Sequence, residues 1–189
     1  HPSSAASDVY KRQLSEETSQ GNAGQQIDLD TNFTVTVTDT GSVAATTLTT
    51  LDSGVPGTVT ANNVATVTGT AAEIAAAATA DENGTLVLKS DFAATVGAGT
   101  ASASDLNTIK SRTSGTITVN ETTTITGTTS QLTSLYEASG FSGLGDEAIT
   151  ITNQTEATAT AINLVNGFTS GIVDATNITT ITGSTENIN

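Results

Sequence analysis

From about residue 32 onward, hydrophobic and polar positions switch between two periods. Asn32–Asp39, NFTVTVTD, alternates strictly, with Phe33, Val35 and Val37 on one side and Thr34, Thr36 and Thr38 on the other. That period of two predicts a half-buried strand. Over Ser42–Leu51 the spacing lengthens, and Val43, Thr47, Leu48 and Leu51 share a helical face. A short helix is predicted there, although its threonines are modest helix formers. Asp52–Gly57, DSGVPG, is a turn cluster. Two strands follow, Gly57–Thr60 and Ala65–Thr68, separated by a break at Asn62-Asn63. Thr70–Asp81, TAAEIAAAATAD, predicts the best helix of the chain. Thr70 and Glu73 stand at capping-box spacing, and Asn83-Gly84 closes it. Thr85–Lys89 predicts one more strand, with Leu86 and Leu88 on one face.

The pattern then starts again. Gly57–Thr70 reads GTVTANNVATVTGT, Gly115–Thr128 reads GTITVNETTTITGT, and Gly171–Ser184 reads GIVDATNITTITGS. Their starts differ by 115 − 57 = 58 and 171 − 115 = 56. The helices recur at the same displacements. Leu48 and Leu51 map to Leu106 and Ile109 in Ser104–Lys110, then to Ile162 and Val165. Thr128–Ala138 repeats the second helix: Thr128 and Gln131 repeat its capping box, and Ile74 maps to Leu132 and Ile188. Ala148–Thr152 repeats the alternating strand. A fixed period marks a repeat protein, whose neighbouring units bury one another's apolar faces.

The expected fold is therefore α/β: a tandem-repeat solenoid of short strands and short helices, with a unit of about 57 residues made of two strand–helix halves. Segments one unit apart are expected to share a shape and pile onto one another. Residues 28–189 read as one array, with units at about 33–88, 89–147 and a truncated 148–189. Variable loops fall between Lys89 and Ser104 and over Ser139–Glu147. Residues 14–27 read as a disordered lead-in. Residues 1–13, HPSSAASDVYKRQ, resemble a translated metagenomic adapter or assembly scar and are set aside, together with His1, the only histidine. On this reading the chain is an internal fragment of a longer protein.

Composition narrows the picture. Hydrophobic residues make up 35% of the 189, aromatics 3%, and Met, Trp and Cys are absent. That suits thin layers of small aliphatic side chains rather than one bulky core. The net charge of −14, from 19 acidic and 5 basic residues, leaves no basic stripe to neutralise phosphates, so nucleic acid is not an expected partner. Anionic membrane surfaces would repel the chain, and no apolar run reaches spanning length. Without cysteine there are neither disulfides nor thiolate ligands.

Candidate chemistry is sparse. The adjacent acid pairs Asp81/Glu82 and Asp146/Glu147 could serve acid–base work only if held together in a dry pocket. A Ser/His/Asp arrangement would need a histidine other than His1, and no phosphate-cradling motif occurs. No enzyme is expected, and no catalytic, cofactor-binding or metal residue is assigned. Asp28-Leu29-Asp30-Thr31-Asn32 has the opening spacing of a calcium loop, but Phe33 stands where such a loop needs Gly, and Asp39 where it needs Glu. Asp81–Gly84 and Gly145–Glu147 are oxygen-rich turns of a composition that turns favour anyway. Thr-X-Thr pairs recur at Thr58/Thr60, Thr66/Thr68, Thr116/Thr118, Thr124/Thr126, Thr150/Thr152 and Thr180/Thr182. On strands each pair presents two hydroxyls to one face, either as ordinary strand patterning or as a flat array for ice or glycan. Asn-X-Ser/Thr sequons at Asn32, Asn83, Asn120, Asn153 and Asn177 are the chance yield of a threonine-rich chain.

The segments SDLNTIKSRTSGTITVNETTTITGT (104–128), SGFSGLGDEAITITNQT (139–155) and AINLVNGFTSGIVDATNITTITGS (161–184) resemble a known family: the Thr/Ala/Asp-rich tandem repeats of giant cell-surface proteins of marine cyanobacteria, including the swimming-motility type. The first unit departs most, with DSGVPGT and an Ala-rich helix. The resemblance implies an extracellular, cell-surface location and a structural or adhesive repeat segment of a large exported protein, whose partners are the neighbouring repeats of the same chain. The alternative is a ligand-binding repeat module for calcium, or for ice or surface glycans through the Thr-X-Thr faces.

Overall fold

The computed structural model describes residue 29 and residues 31–188. The expected scar (1–13) and lead-in (14–27) lie outside the described residues, as do Asp28 and Asp30 of the calcium-loop candidate and the side chain of Ile188. The described chain is α/β with parallel sheets. Its elements run β1 (Val35–Thr36), β2 (Ser42–Ala44), α1 (Ala45–Gly54), β3 (Val59–Ala61), β4 (Thr66–Gly69), α2 (Ala71–Asn83), β5 (Leu86–Leu88), β6 (Ala93–Val96), β7 (Gly99–Ser102) and α3 (Ala103–Arg112). There follow β8 (Ile117–Thr118), β9 (Thr122–Gly127), α4 (Thr129–Glu137), β10 (Phe141–Ser142), β11 (Ala148–Ile151), β12 (Glu156–Thr158), α5 (Ala159–Asn166), β13 (Val173–Asp174), β14 (Thr180–Thr182) and α6 (Thr185–Ile188).

Local chemistry accounts for most of these boundaries. In residues 33–38 the alternation survives: Val35 and Val37 are buried while Thr34, Thr36 and Thr38 are exposed. Thr70 and Thr128 cap α2 and α4 through complete capping boxes with Glu73 and Gln131. Gly84 ends α2 in the left-handed conformation, φ 78°, which costs a glycine nothing. Ser102 and Thr158 cap α3 and α5 by accepting from Asp105 N and Ala161 N. At the equivalent position α1 has Ala44, which has no side-chain cap to offer.

The expected helix over Ser42–Leu51 is shifted. Ser42–Ala44 is strand β2, and α1 begins only at Ala45, continuing through the expected turn cluster to Gly54. The expected loop between Lys89 and Ser104 holds two strands, β6 and β7. Their residues, AATV and GTAS, show little contrast in polarity, so the inward side is marked only by burial, with Ala94 at 0%, Val96 at 2% and Ala101 at 2% exposure. Strand β10 likewise lies within the expected loop 139–147.

Four parallel sheets result, ordered β1-β3-β5, β2-β4-β6-β8-β10, β7-β9-β11-β13 and β12-β14. Partners along a sheet differ in number by 59 − 35 = 24, 86 − 59 = 27, 117 − 94 = 23 and 149 − 125 = 24. Contrary to the expectation from the sequence pattern, segments one unit apart therefore do not lie on one another. Strands β3, β8 and β13, which open the three glycine-led stretches, belong to three different sheets. Two such spacings fall short of one unit, and the remainder is one extra strand, so equivalent strands step across by one sheet per unit.

The helices pack in sequence: α1 on α2, α2 on α3, α3 on α4, α4 on α5 and α5 on α6. Leu48 and Leu106 are fully buried and Ile162 half-buried, while Ile109 and Val165 are fully buried and Leu51 half-buried. Each fully buried Leu or Ile contributes about 2 kcal/mol through area removed from water.

The repeated glycines have a shared cause. A Cβ on Gly57 would lie 2.5 Å from the Phe33 carbonyl oxygen, on Gly115 2.3 Å from that of Phe92, and on Gly171 2.3 Å from that of Glu147. The sequence separations, 57 − 33 = 24, 115 − 92 = 23 and 171 − 147 = 24, match the strand pairing. Each glycine thus passes close against the backbone of the preceding paired segment, where only glycine fits. Among the described residues no helix is long and apolar enough to cross a membrane.

Candidate functional site

Two features recur at the unit spacing. One is an outward row of hydroxyls and the other a backbone clamp that ties neighbouring segments together.

The rows follow from parallel register. In the five-stranded sheet, Ala44, Thr68, Thr95, Thr118 and Ser142 stand in one line across β2, β4, β6, β8 and β10. In the next sheet Ser102, Thr126, Thr150 and Asp174 do the same. Adjacent members lie about 4.8 Å apart, the strand spacing of any sheet. Thr95 is exposed, and Thr68, Thr118, Thr126 and Thr150 are half-buried. Thr66 and Thr124 share faces with Thr68 and Thr126; Thr60 pairs with Thr36 and Val87, and Thr180 and Thr182 with Glu156 and Thr158. Thr58 and Thr116 precede β3 and β8. Among the described residues no row exceeds five strands, because each sheet runs for a limited number of coils and a new sheet begins beside it about one unit further along the chain.

The clamp is built from Thr113, Ser114 and Gly115. Thr113 is 5% exposed; its hydroxyl donates to the Phe92 carbonyl (2.5 Å) and accepts from Gly115 N (2.9 Å). Ser114 N donates to Ser90 O at 3.0 Å. The set recurs one unit later. Thr169 Oγ1 donates to Glu147 O (2.6 Å), Gly171 N donates to Thr169 Oγ1 (2.9 Å), and Ser170 N donates to Gly145 O (2.8 Å). The first unit has Val55 in place of the threonine, and Gly57 N donates directly to Phe33 O at 3.1 Å. The helices carry a matching tie: Asn107 Nδ2 donates to Gln131 O (3.0 Å) and Asn163 Nδ2 to Asn187 O (3.2 Å). The sequence signal for all of this was the Thr-Ser-Gly of residues 113–115 and 169–171 and the asparagine that follows an aliphatic residue at Leu106-Asn107 and Ile162-Asn163, which spacing alone reads as turn and helix chemistry.

The acidic residues weighed for catalysis or calcium have other partners. Asp81 accepts from Arg112 Nε (3.0 Å) and Nη2 (2.6 Å), and its other oxygen accepts from Leu88 N (2.8 Å), joining α2, β5 and α3. Glu82 lies beside it on α2, exposed. Glu147 is 4% exposed. Its carboxylate accepts from the Tyr136 hydroxyl, from Gly145 N (2.9 Å) and from Asp146 N (3.3 Å). Tyr136 stacks on Phe168 with centroids 4.9 Å apart. A buried carboxylate with three donors is a satisfied structural group, and Asp146 beside it is exposed. Around the calcium-loop candidate Phe33 and Asp39 are half-buried and Asn32 is exposed. Among the described residues no three His, Cys, Asp or Glu side chains gather where they could hold a metal ion. Asp174, at the end of its row, is held below the usual carboxylate range by hydrogen bonds from the Thr176 backbone N–H, 2.9 Å away, and from the Thr176 hydroxyl.

Comparison with family models, characterised proteins and solved structures finds no match to the chain.

Proposed function

We propose that the chain is a repeat segment of a large exported cell-surface protein, a tandem-repeat solenoid whose role is structural or adhesive. In this reading each coil is a set of two or three strands followed by one helix, and coils stack along one axis. The observation that carries it is the recurrence of one bonding set between neighbouring coils, at Thr113–Gly115 and Thr169–Gly171, with the side-chain ties of Asn107 and Asn163. Bonds that repeat with the chain couple nearest neighbours only, so length can be added without altering any coil. A net charge of −14 on a threonine-rich exterior keeps such a rod soluble without large hydrophobic patches. The family resemblance supports the surface location.

The test is to lengthen the chain by one unit. Inserting a second copy of residues 115–170 after Ser170 preserves the junction, because Gly171 stands where Gly115 stands. Two added coils at sheet spacing should extend the particle by about 10 Å at unchanged cross-section, measured by small-angle scattering. A thicker or equally long particle would refute the solenoid. Antibody labelling and protease shaving of intact producing cells test the surface location, and protection from both would overturn it.

The row Thr68–Thr95–Thr118–Ser142 favours a second reading, a ligand-binding face for ice or glycan. Ice shaping or glycan retention that is lost on Thr95→Val and Thr118→Val would establish it; no binding would leave the rows as strand patterning.

A further inference from the structure

We propose that Asn83 is a site of spontaneous covalent modification. Its side-chain amide is lost to attack by the Gly84 backbone nitrogen, which leaves aspartate and isoaspartate at the end of α2. Asparagine reacts in this way when the nitrogen of the next residue can reach its side chain, and a side chain on that residue obstructs the approach. Two asparagines of the chain precede a glycine, Asn83 and Asn166, and glycine offers no such obstruction. The step balances without a cofactor. The Gly84 nitrogen gives its proton to hydroxide and bonds to Asn83 Cγ; the Cγ–Nδ2 bond breaks, and Nδ2 leaves as ammonia with a proton from water. Water then opens the cyclic imide. Breaking the new bond at Cγ gives aspartate. Breaking the bond at the main-chain carbonyl gives isoaspartate, whose backbone runs through Cβ and Cγ and is longer by one atom. The net reaction is hydrolysis of an amide, with no oxidation or reduction.

The fold leaves one of the two sites open and holds the other. Asn83 is exposed, and its amide makes no hydrogen bond among the described residues. It is the last residue of α2, so no further helical turn has to open with it. Gly84 is exposed, at φ 78°, and nothing lies within 4 Å of its Cβ position. Its N–H is held by the Ala80 carbonyl and by that of Asp81, the latter at 3.2 Å. At the end of α5 the same dipeptide is held harder. Gly167 N donates to Asn163 O at 3.1 Å and Leu164 O at 3.0 Å, and Phe168 N to Val165 O at 3.1 Å. Gly167 stays in the right-handed conformation, with its Cβ position 3.3 Å from Leu164 O. Turning its nitrogen toward Asn166 drags Phe168 off Tyr136 and Thr169 out of its clamp. The product at Asn83 bears on the fold. A new carboxylate there joins Asp81 and Glu82 at the negative end of α2. The longer backbone of isoaspartate falls just before Thr85, whose carbonyl accepts from Val59 N at 2.8 Å, and before Leu86, fully buried opposite Val59. Modification with age thus loosens β5 from β3.

The test ages the full chain in mildly alkaline buffer below its melting temperature. Intact mass, peptide mapping and labelling by an isoaspartyl methyltransferase follow the reaction. The peptide that holds Asn83 should gain the mass difference between an amide and an acid and should accept the methyl label. Asn166 should lag several-fold behind in the folded chain and keep pace with Asn83 in urea. Asn83→Gln should lose most of the mass gain, and Asn166→Gln should retain it. A folded wild type that gains no mass overturns the proposal. So does one in which Asn166 reacts as fast as Asn83, since folding would then not distinguish the two. Asn83→Asp carries the added charge without the extra backbone atom. Aged wild type should melt below this variant, and equal melting temperatures would overturn the loosening of β5.

Discussion

Replacing Gly115 by alanine tests the close approach that underlies the repeated glycine-led stretches. The new Cβ would stand 2.3 Å from Phe92 O, 2.5 Å from Asp91 O and 2.8 Å from the Phe92 carbonyl carbon. All three atoms are backbone, so no side chain can swing away. Relief to ordinary contact needs a shift of about 1 Å between the two segments. That shift strains the bonds from Thr113 Oγ1 to Phe92 O (2.5 Å) and from Ser114 N to Ser90 O (3.0 Å). At about 1 kcal/mol for each hydrogen bond, with about 1–3 kcal/mol for overpacking, the expected loss is about 3–5 kcal/mol. Gly41→Ala is the control, because nothing lies within 4 Å of its Cβ position. It should change stability by less than about 0.5 kcal/mol, or add slightly through the unfolded state. The assay is urea unfolding, reading the midpoint at constant slope. A Gly115→Ala protein within about 1 kcal/mol of wild type would refute the argument, since a variant that overpacks the backbone cannot be so nearly neutral.

Other substitutions probe separate links. Thr122 is 7% exposed, and its hydroxyl finds no partner among the described residues, at the position held by Val64 and Ile178 in the other units. Thr122→Val should therefore stabilise by about 1 kcal/mol in the same assay, and a loss of that size would show the hydroxyl to be satisfied. Ala44→Ser should give α1 the cap that Ser102 and Thr158 supply to α3 and α5, a gain of about 1 kcal/mol; no gain would mean that the introduced hydroxyl cannot reach the N–H groups of α1. Arg112→Gln removes the cation paired with a mostly buried Asp81 and should cost about 1–2 kcal/mol, with a double-mutant cycle to Asp81→Asn isolating the pair. For Asp174, bonding to Thr176 favours the ionised form in the folded state. Its small contribution is thus present above the unfolded carboxylate's pKa of 3.8 and lost as pH falls through the lower folded value. NMR titration should place Asp174 below the ordinary carboxylate range, and Thr176→Ala, by removing the hydroxyl bond, should move it part of the way back.

Local chemistry was legible along the chain. Thr70 with Glu73 and Thr128 with Gln131 announce α2 and α4 through spacing alone, and both boxes form. The alternation of Phe33, Val35 and Val37 marks its buried side correctly. The three glycine-led stretches do sit in like surroundings, each against a carbonyl of earlier backbone. What spacing could not supply was adjacency. Strands β6, β7 and β10 are too poor in hydrophobic contrast to register as strands, so the strand count per unit was short. That count decides which segments touch.

The sequence by itself determined the elements that carry a local signal, the recurrence of the glycine-led stretches, and the acidity that argues against phosphate partners. Only the tertiary structure decided that strands pair at less than half the unit spacing, that equivalent strands lie in successive sheets, and that Asp81 and Glu147 bind Arg112 and Tyr136. The reason is physical. Capping and alternation depend on residues a few positions apart, which the chain order lays side by side. Pairing between strands depends on the length of backbone each coil takes up, and the partner of a carboxylate on which segment returns beside it.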